Sequence, residues 1–563
     1  MSTFYQEGPV LGNTYESDGF LKSCLTRMLP GEILREIQPH LDHLGHRAAN
    51  DLLALARQAE THPPVHIPFD AWGRRVDEIE THPSWDLLKR AAAEEGLVAT
   101  GYERKYGSWS RLYQMTLLHL YHPSSAVFSC PLAMTDGTAR AIELYGDESL
   151  KENAYANLTS RDPDRFWTSG QWMTERTGGS DVGGTSTIAR PDGQGGFRLQ
   201  GTKWFTSATT SEMAMTLARI EGAPEGSKGL SLFYLELRDP AGRLNQIEVH
   251  RLKDKLGTRA LPTAELTLHG TPAQLVGGEG HGVRKIASLF NITRVYNAVC
   301  AVSSMGRGLT LAKDYARKRR AFGKRLLDHP LHAETLADLE TDYRICLSLV
   351  LQVARFLGEA ETDRQEGRAD KLLRILTPIT KLFTAKLGVA SASEVLESFG
   401  GAGYVEDTHL PMLLRDGQVL AIWEGTTNIL SLDMLRAISK EDALAPLVED
   451  ARRRLGDIDQ ETLAPQATIL ERELDRWLEH FQFLAKTGRE ALESQARTLA
   501  MNLGRCYAGI LLLEHAQWEW RQQQSDLSLL AARRWCARPP IPMKPVTNDN
   551  WQNSTRLAFG TVE

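Results

Sequence analysis

The sequence has 563 residues, 42% of them hydrophobic and 24% charged, with a formal net charge of −6. That length suits about three or four domains of ordinary globular composition, and the acidic balance gives no reason to expect nucleic acid as the main partner. Six scattered cysteines (Cys24, Cys130, Cys300, Cys346, Cys506 and Cys536), none in a CxxC pair, argue against a zinc site or a disulfide framework and fit a reducing compartment.

The opening stretch MSTFYQEGPVLGN lacks a basic region followed by an apolar core, so no signal peptide is read there. No apolar run approaches the ~18 residues of a membrane span. A cytoplasmic protein without membrane contact is the expectation. Residues 1–75 are mixed and rich in His and Pro, as an extension packed on the body would be. From HPSWDLLKRAAAEEGLVATGYE onward helical signals dominate, with Trp85, Leu87, Leu88 and Ala92 at helix-like intervals. The texture changes after Arg165. GGFRLQGTKWF sets Phe197, Leu199, Gly201 and Lys203 against Arg198, Gln200 and Thr202, and TAELTLHG alternates Ala264, Leu266 and Leu268. RPDGQGGF carries a Pro-Asp-Gly turn between strand-like runs. From Gly282 the helical period returns in long amphipathic segments that suggest a bundle. The expected division is 1–164 (extension and helices), 165–281 (β domain), 282–440 (helix bundle) and 441–563 (further helices, clearest in ILERELDRWLEHFQFLAKTG). This order argues an α+β chain of modules rather than a doubly wound sheet.

Five stretches carry candidate chemistry. WMTERTGGSDVGG, Trp172 to Gly184, reads as a strand-ending turn or as a place where Gly179 lets backbone approach a ligand while Thr174 and Ser180 offer hydroxyls. It is not a GxGxxG fingerprint, and no Walker A motif occurs. In TKWFTSAT, Trp204 and Phe205 are core aromatics, or Trp204 lies against a flat ring with Thr206 bonding a ring nitrogen. RKRRAFGKRLLDHP, from Arg317, is a solvated helix face, a nucleic-acid patch, or the source of an arginine that reaches a pyrophosphate. FGGAGYVED, from Phe399, has glycines that end a helix or admit a diphosphate. In AIWEGTTNIL, Glu424 sits among Ile422, Trp423 and Ile429. A charge there costs free energy unless it is paired, neutralised or used, so it is a capping or surface acid or a tuned base.

Taken in order, these stretches resemble the signature of the FAD-dependent acyl-CoA dehydrogenases, in their AidB-like branch: Thr174–Asp181, Trp204–Thr206, Arg319–Gly323, Gly400–Gly403 and Glu424–Thr426. The resemblance runs from about residue 80 to 440 and implies an N-terminal helical domain, a middle β-barrel and a C-terminal four-helix bundle, followed here by an extra helical domain. It implies that Thr174, Gly179, Ser180, Trp204 and Thr206 contact FAD from the barrel. It likewise puts Arg319, Phe322, Glu397, Gly400, Gly401, Thr426 and Asn428 on FAD, with the adenosine diphosphate half held from a neighbouring subunit. A shared site implies a homo-oligomer, with a dimer of dimers as the family norm. Ser180, Arg294, Trp423, Glu424 and Gly425 fall at acyl-CoA positions, and Glu424 matches the catalytic base, its pKa raised by burial. Thr293, where some relatives place the base, leaves Glu424 as the candidate. An electron-transfer flavoprotein or similar acceptor is the implied electron partner.

Departures from the pattern are Glu397 where many relatives have glutamine, Arg176 in place of proline, Pro330 in place of a frequent glutamine, and Trp423 at a frequent tyrosine. A carboxylate at 397 repels a diphosphate unless it is screened. The alternative implied by the AidB branch is a flavoprotein that binds DNA in an alkylation response. That needs a basic C-terminal segment, and residues 441–563 carry 15 Lys/Arg against 18 Asp/Glu.

Overall fold

Strand structure begins earlier than the composition of residues 1–75 suggests. β1 (Val65–Phe69) and β2 (Arg75–Glu80) pair antiparallel around a turn in which Gly73 has φ +80°. Pro68 hides β1 from a strand reading, since proline lacks the ladder donor and is confined to edges. The computed structural model describes residues 6–362, 367–522, 525–544 and 550–560. It divides into two units, one of Gly12–Tyr15 and Gln38–Ser303, the other of Met1–Leu11, Glu16–Ile37 and Ser304–Glu563.

In the first unit, the helices Pro83–Glu94, Ser110–Tyr121 and Ser129–Tyr145 precede the sheet. Trp85, Leu88 and Ala92 are buried as their spacing predicts, whereas Leu87 is exposed. Helix Ser110–Tyr121 is buried on every face, so it needs internal partners for its polar side chains. Arg111 and Gln114 both bond Asp136, and Tyr296 Oη donates to the same carboxylate at 2.9 Å.

The sheet comprises β3 (Ser169–Trp172), β4 (Ile188–Pro191), β5 (Phe197–Ser207), β6 (Met213–Ile220), β7 (Leu230–Glu236), β8 (Ile247–Leu252) and β9 (Thr263–Val276). β6 pairs with β7, β7 with β9, β9 with β5, β5 with β4, and β4 with β6. That circuit closes, so the sheet is a barrel, which removes its edges. β3 extends it beside β6, and β8 beside β9. The alternation in β5 sends Leu199 inward to a core with Trp172, Phe233, Leu266 and Leu268. Asp192 makes the predicted turn between β4 and β5, its Oδ1 accepting from the N–H groups of Gln194 and Gly196. The β1–β2 hairpin is clamped to β8, with Arg75 donating to Val249 O at 2.7 Å and Val249 N donating to Asp77 at 3.1 Å.

The second unit is helical. Its main rods are Pro330–Thr362, Arg368–Ser398, Thr427–Glu441 and Arg489–Arg521, together with the end of Ala287–Lys318. Helix Arg489–Arg521 packs on the other three through an almost unbroken buried run, Tyr507 to Leu513. Helix Leu444–Gly456 is pinned by buried Asp450, which accepts from Arg368, Arg453, Arg454 and Tyr507. The basic run after Arg317 is not a helix face. The helix stops at Lys318, and Arg320–Ala321 (β10) and Lys324–Arg325 (β11) form a hairpin. Its two-residue loop, Phe322-Gly323, has φ +50° and +79°, as a turn matched to strand twist requires. Among the described residues no helix is long and apolar enough to cross a membrane, and no two cysteines are bonded.

Candidate active site

The barrel wall is organised by one buried ion pair. Glu175 and Lys203 are 2% and 0% exposed, with Lys203 Nζ 2.8 Å from Glu175 Oε1. Lys203 also donates to Leu217 O at 3.0 Å, while the hydroxyls of Ser186 and Thr187 and the Ser186 N–H donate to Glu175. Burial alone would push the Glu175 carboxyl up, but the Lys203 charge and these donors hold it down at about 2. Burial also lowers the Lys203 pKa, against the pull of Glu175. The pair fixes the turn after β3 against β5. Trp204 N donates to Thr174 O at 3.0 Å, and a Cβ on Gly179 would meet Thr174 Oγ1 at 2.5 Å. A side chain at 179 would have to displace the Thr174 hydroxyl, and glycine leaves the backbone bare beside it.

A β-bulge then re-aims the next residues. The β5–β9 register runs Lys203↔Leu266 and then Thr206↔Ala264, so Trp204 and Phe205 together oppose Glu265. Bulges turn side chains away from the regular pleat and are frequent beside functional sites. Here Trp204 is half-buried and Phe205 exposed, while Thr206 returns to the interior. Lys253 Nζ, anchored 2.5 Å from buried Glu265, stands 3.9 Å from the centre of the Trp204 ring, and the Arg176 guanidinium lies 5.7 Å from it. Thr206 Oγ1 gives its proton to Ala264 O at 2.8 Å, so towards any further group it can only accept. Ser180 is exposed, and Asp181 caps the turn by accepting from Gly183 N. Arg294, on the first half of helix Ala287–Lys318, is half-buried.

In the helical unit, two of the sequence motifs come together. The Tyr315 and Phe399 rings are 4.7 Å apart; Tyr315 lies one turn before Arg319, and Phe399 immediately precedes Gly400. Arg319 N donates to Tyr315 O, and Arg319 Nη1 to Gln6 Oε1 at 2.9 Å. Gly400 has φ +61°, and no atom lies within 4 Å of where a Cβ on Gly400 or Gly401 would stand. At Gly403 the reason for glycine is internal, since a Cβ would fall 1.9 Å from Leu396 O. Glu397 is exposed, and Phe322, at the hairpin tip, is 97% exposed.

Glu424 lies between helices Pro411–Leu420 and Thr427–Glu441. Its φ is +57° and that of Gly425 is +104°. A left-handed conformation costs a residue with a Cβ about 1–2 kcal/mol, and such strain persists only where neighbours impose it. They do so here. Trp423 N donates to Val419 O at 3.0 Å, and the fully buried Lys381 donates to Gly425 O at 2.7 Å. Thr426 caps the following helix, with Leu430 N donating to its carbonyl, and Thr426 and Asn428 are exposed. The carboxylate is half-buried, as is Trp423, but the expected greasy surround is incomplete within the chain: Ile422 is 60% exposed and Ile429 37%. Ile422 precedes the turn, and Ile429 lies in the first turn of helix Thr427–Glu441.

Of the residues that organise these loops, Lys203 is read from the sequence only as part of the β5 alternation and Glu175 only as part of the Thr174–Asp181 signature, while Lys253 and Lys381 are not read at all. Two of them carried a signal. Lys203 falls on the apolar side of the β5 alternation, and Lys381 interrupts the apolar run Ile379–Phe383. A lysine in such a place is paired or used.

The fit to a bound flavin dinucleotide rests on the donor set. Taken by itself, the barrel offers a half-buried indole, a side-chain-free glycine and hydroxyls, groups suited to a flat ring. The helical unit, taken by itself, offers Arg319 and the bare Gly400–Gly401 backbone, whose motifs meet through Tyr315 and Phe399, groups suited to a diphosphate.

Comparison with known proteins covers nearly the whole chain. Residues 9–165 match the adaptive response protein AidB N-terminal domain, 170–271 the acyl-CoA dehydrogenase middle domain, 280–439 the acyl-CoA dehydrogenase C-terminal domain, and 442–558 the acyl-CoA dehydrogenase 11 C-terminal domain-like family. Acyl-CoA dehydrogenase family member 11 of Caenorhabditis elegans is 43% identical over 96% of this chain and 89% of its own length. The putative acyl-CoA dehydrogenase AidB of Escherichia coli is 30% identical over 87% and 90%. The crystal structure of C. elegans ACDH-11 in complex with C11-CoA superimposes with a TM-score of 0.96 at 40% identity, covering 100% of this chain and 97% of that one.

Proposed function

This chain belongs to the acyl-CoA dehydrogenase family, and on that premise we propose that it is an FAD-dependent enzyme that desaturates an acyl-CoA thioester between its α and β carbons. The observation that carries this reading is Glu424: a carboxylate on a left-handed backbone, held by Val419 and Lys381 at either side, in the position of the family's base.

The Glu424 carboxylate takes the α-proton. As that C–H bond breaks, negative charge moves onto the thioester oxygen, where the Glu424 backbone N–H is the donor this chain supplies. One such donor is worth on the order of 3 kcal/mol of barrier. Bound FAD supplies the acceptor for the β-hydrogen, which leaves as hydride to give the trans-2-enoyl-CoA. Thr174, Gly179, Ser180 and Trp204 hold the cofactor from the barrel, whereas Thr206, expected beside a ring nitrogen, is buried and spends its proton on Ala264 O. Arg319, Phe322, Gly400 and Gly401 hold the cofactor's adenosine diphosphate half from a neighbouring subunit of a homotetramer; Thr426 and Asn428 contact the cofactor from the helical unit, and Glu397 adjoins the diphosphate, where its charge has to be screened. Arg294, Trp423 and Gly425 line the thioester and acyl positions with Ser180. The relative's C11-CoA suggests an acyl chain of that order as the first to try. An electron-transfer flavoprotein or similar acceptor reoxidises the enzyme in the cytoplasm, within fatty acid metabolism. DNA binding is disfavoured by the acidic balance of residues 441–563.

Anaerobic titration of the yellow protein with acyl-CoAs of increasing length tests the reading. Glu424→Gln should retain FAD and reduce it about 10²–10⁴-fold more slowly. Reduction at the native rate would remove Glu424 as the base.

A further inference from the structure

The chain leaves helix Leu527–Ala537 as Arg538-Pro-Pro-Ile-Pro-Met-Lys-Pro545. Pro539, Pro540 and Pro542 lock their own φ near −65° and push the residues before them towards extended backbone, and Arg538 has φ −78° and ψ 132°. The sequence thus dictates a polyproline-II-like path, with three residues per turn.

Helix Arg489–Arg521 reads that path every third residue. Arg505 Nη2 donates to Arg538 O at 2.6 Å. The Asn502 carboxamide donates to Ile541 O at 2.8 Å and accepts from Ile541 N at 3.0 Å. The Gln495 carboxamide does the same for Lys544, at 3.1 and 3.2 Å. Asn502 and Gln495 are each 4% exposed. His480 Nε2 lies 3.0 Å from Gln495 Oε1; because that oxygen already accepts, the imidazole donates and fixes the amide's orientation.

The spacings agree. Residues 495 and 502 are two helical turns apart, about 10.5 Å. Three residues of polyproline II advance about 9.3 Å. The two doubly clamped positions, 541 and 544, need an N–H, and both are non-proline in a segment where 539, 540, 542 and 545 are proline.

We propose that the face of helix Arg489–Arg521 bearing Gln495 and Asn502 is a recognition groove for a proline-rich peptide in the polyproline-II conformation. Residues 538–544 occupy it in cis, and a peptide with non-proline residues at the same three-residue spacing enters it in trans when they lift. The groove reads backbone at the clamped positions, so its selectivity lies in where proline is required and where it is forbidden.

The full-length variant Ile541→Pro/Lys544→Pro removes both clamp donors from the resident segment without disturbing its preferred path. A fluorescein-labelled peptide of residues 537–546 should bind this variant saturably and the native chain at least about tenfold more weakly. The same peptide with proline at 541 and 544 should not bind. Adding Asn502→Leu to the variant should weaken binding about tenfold, the effect of losing two hydrogen bonds. Equal binding to both proteins, no binding to a variant whose melting matches the native chain, or indifference to Asn502→Leu overturns the proposal. The unmodified chain offers an independent check by hydrogen exchange. The amides of Ile541 and Lys544 should be slow and that of Met543 fast, and uniformly fast exchange would also overturn it.

Discussion

The barrel turn at Thr174–Gly179 and the loop at Trp423–Gly425 are both proposed to serve one reaction, yet they are held in opposite ways. The turn sits on a dry, fully satisfied network in which Glu175, Lys203 and two hydroxyls use one another's hydrogen bonds, with ordinary backbone at Glu175 itself. The loop has a half-buried glutamate on unfavourable backbone, restrained by the Trp423 N–H donating to Val419 O and by Lys381 donating to Gly425 O. A surface that positions a ring gains from rigidity, and its polar groups can be spent on one another. At the loop, Val419 and Lys381 grip the backbone on either side of Glu424.

Breaking the network should produce the largest loss. Lys203→Met leaves Glu175 buried without its counter-charge, which costs about 3–5 kcal/mol, read as a fall in the thermal midpoint. Replacing Glu175 by Gln as well should recover most of it. Lys381→Met should be milder for the fold, about 1–3 kcal/mol for an unsatisfied Gly425 carbonyl, but should slow flavin reduction by acyl-CoA while flavin stays bound. If turnover and stability fall in parallel, the loop is no more specialised than the turn.

Acid sharpens the contrast. Glu175 is held at about 2 in the folded chain against an ordinary 4.5. Its contribution is therefore complete above about pH 4.5 and drains away as pH falls towards 2, and Glu175→Gln should flatten that part of a stability–pH profile. The smallest effect on stability falls at Glu424 itself. Glu424→Gly relieves left-handed strain of about 1–2 kcal/mol, so its cost to stability should be smaller than that of Lys381→Met, while it abolishes reduction of flavin by acyl-CoA.

Much of the barrel was legible because its strands alternate and its turn residues are explicit, as at Asp192. Two hairpins were not. Pro68 disguised β1, and the charges around Phe322 drew attention to solvent when the informative pair was Phe-Gly, a positive-φ loop in which phenylalanine stands where asparagine is usual. In the site, motif residues were found by their order along the chain. The roles of Lys203 and Lys381 escaped because each acts through a group on another element, Glu175 and Gly425 O, and one-dimensional spacing does not record that partnership. The apolar setting of Glu424 is thinner than its sequence neighbours suggest, because Ile422 and Ile429 are both exposed.

The hairpin tip at Phe322 has a thermodynamic corollary. A phenyl ring almost wholly in water, on a turn that phenylalanine disfavours, gains about 1.5–3 kcal/mol when another surface covers it. Any such cover supplied by a second molecule enters through mass action, so dilution, as much as heat or denaturant, becomes a variable that sets how long a preparation survives.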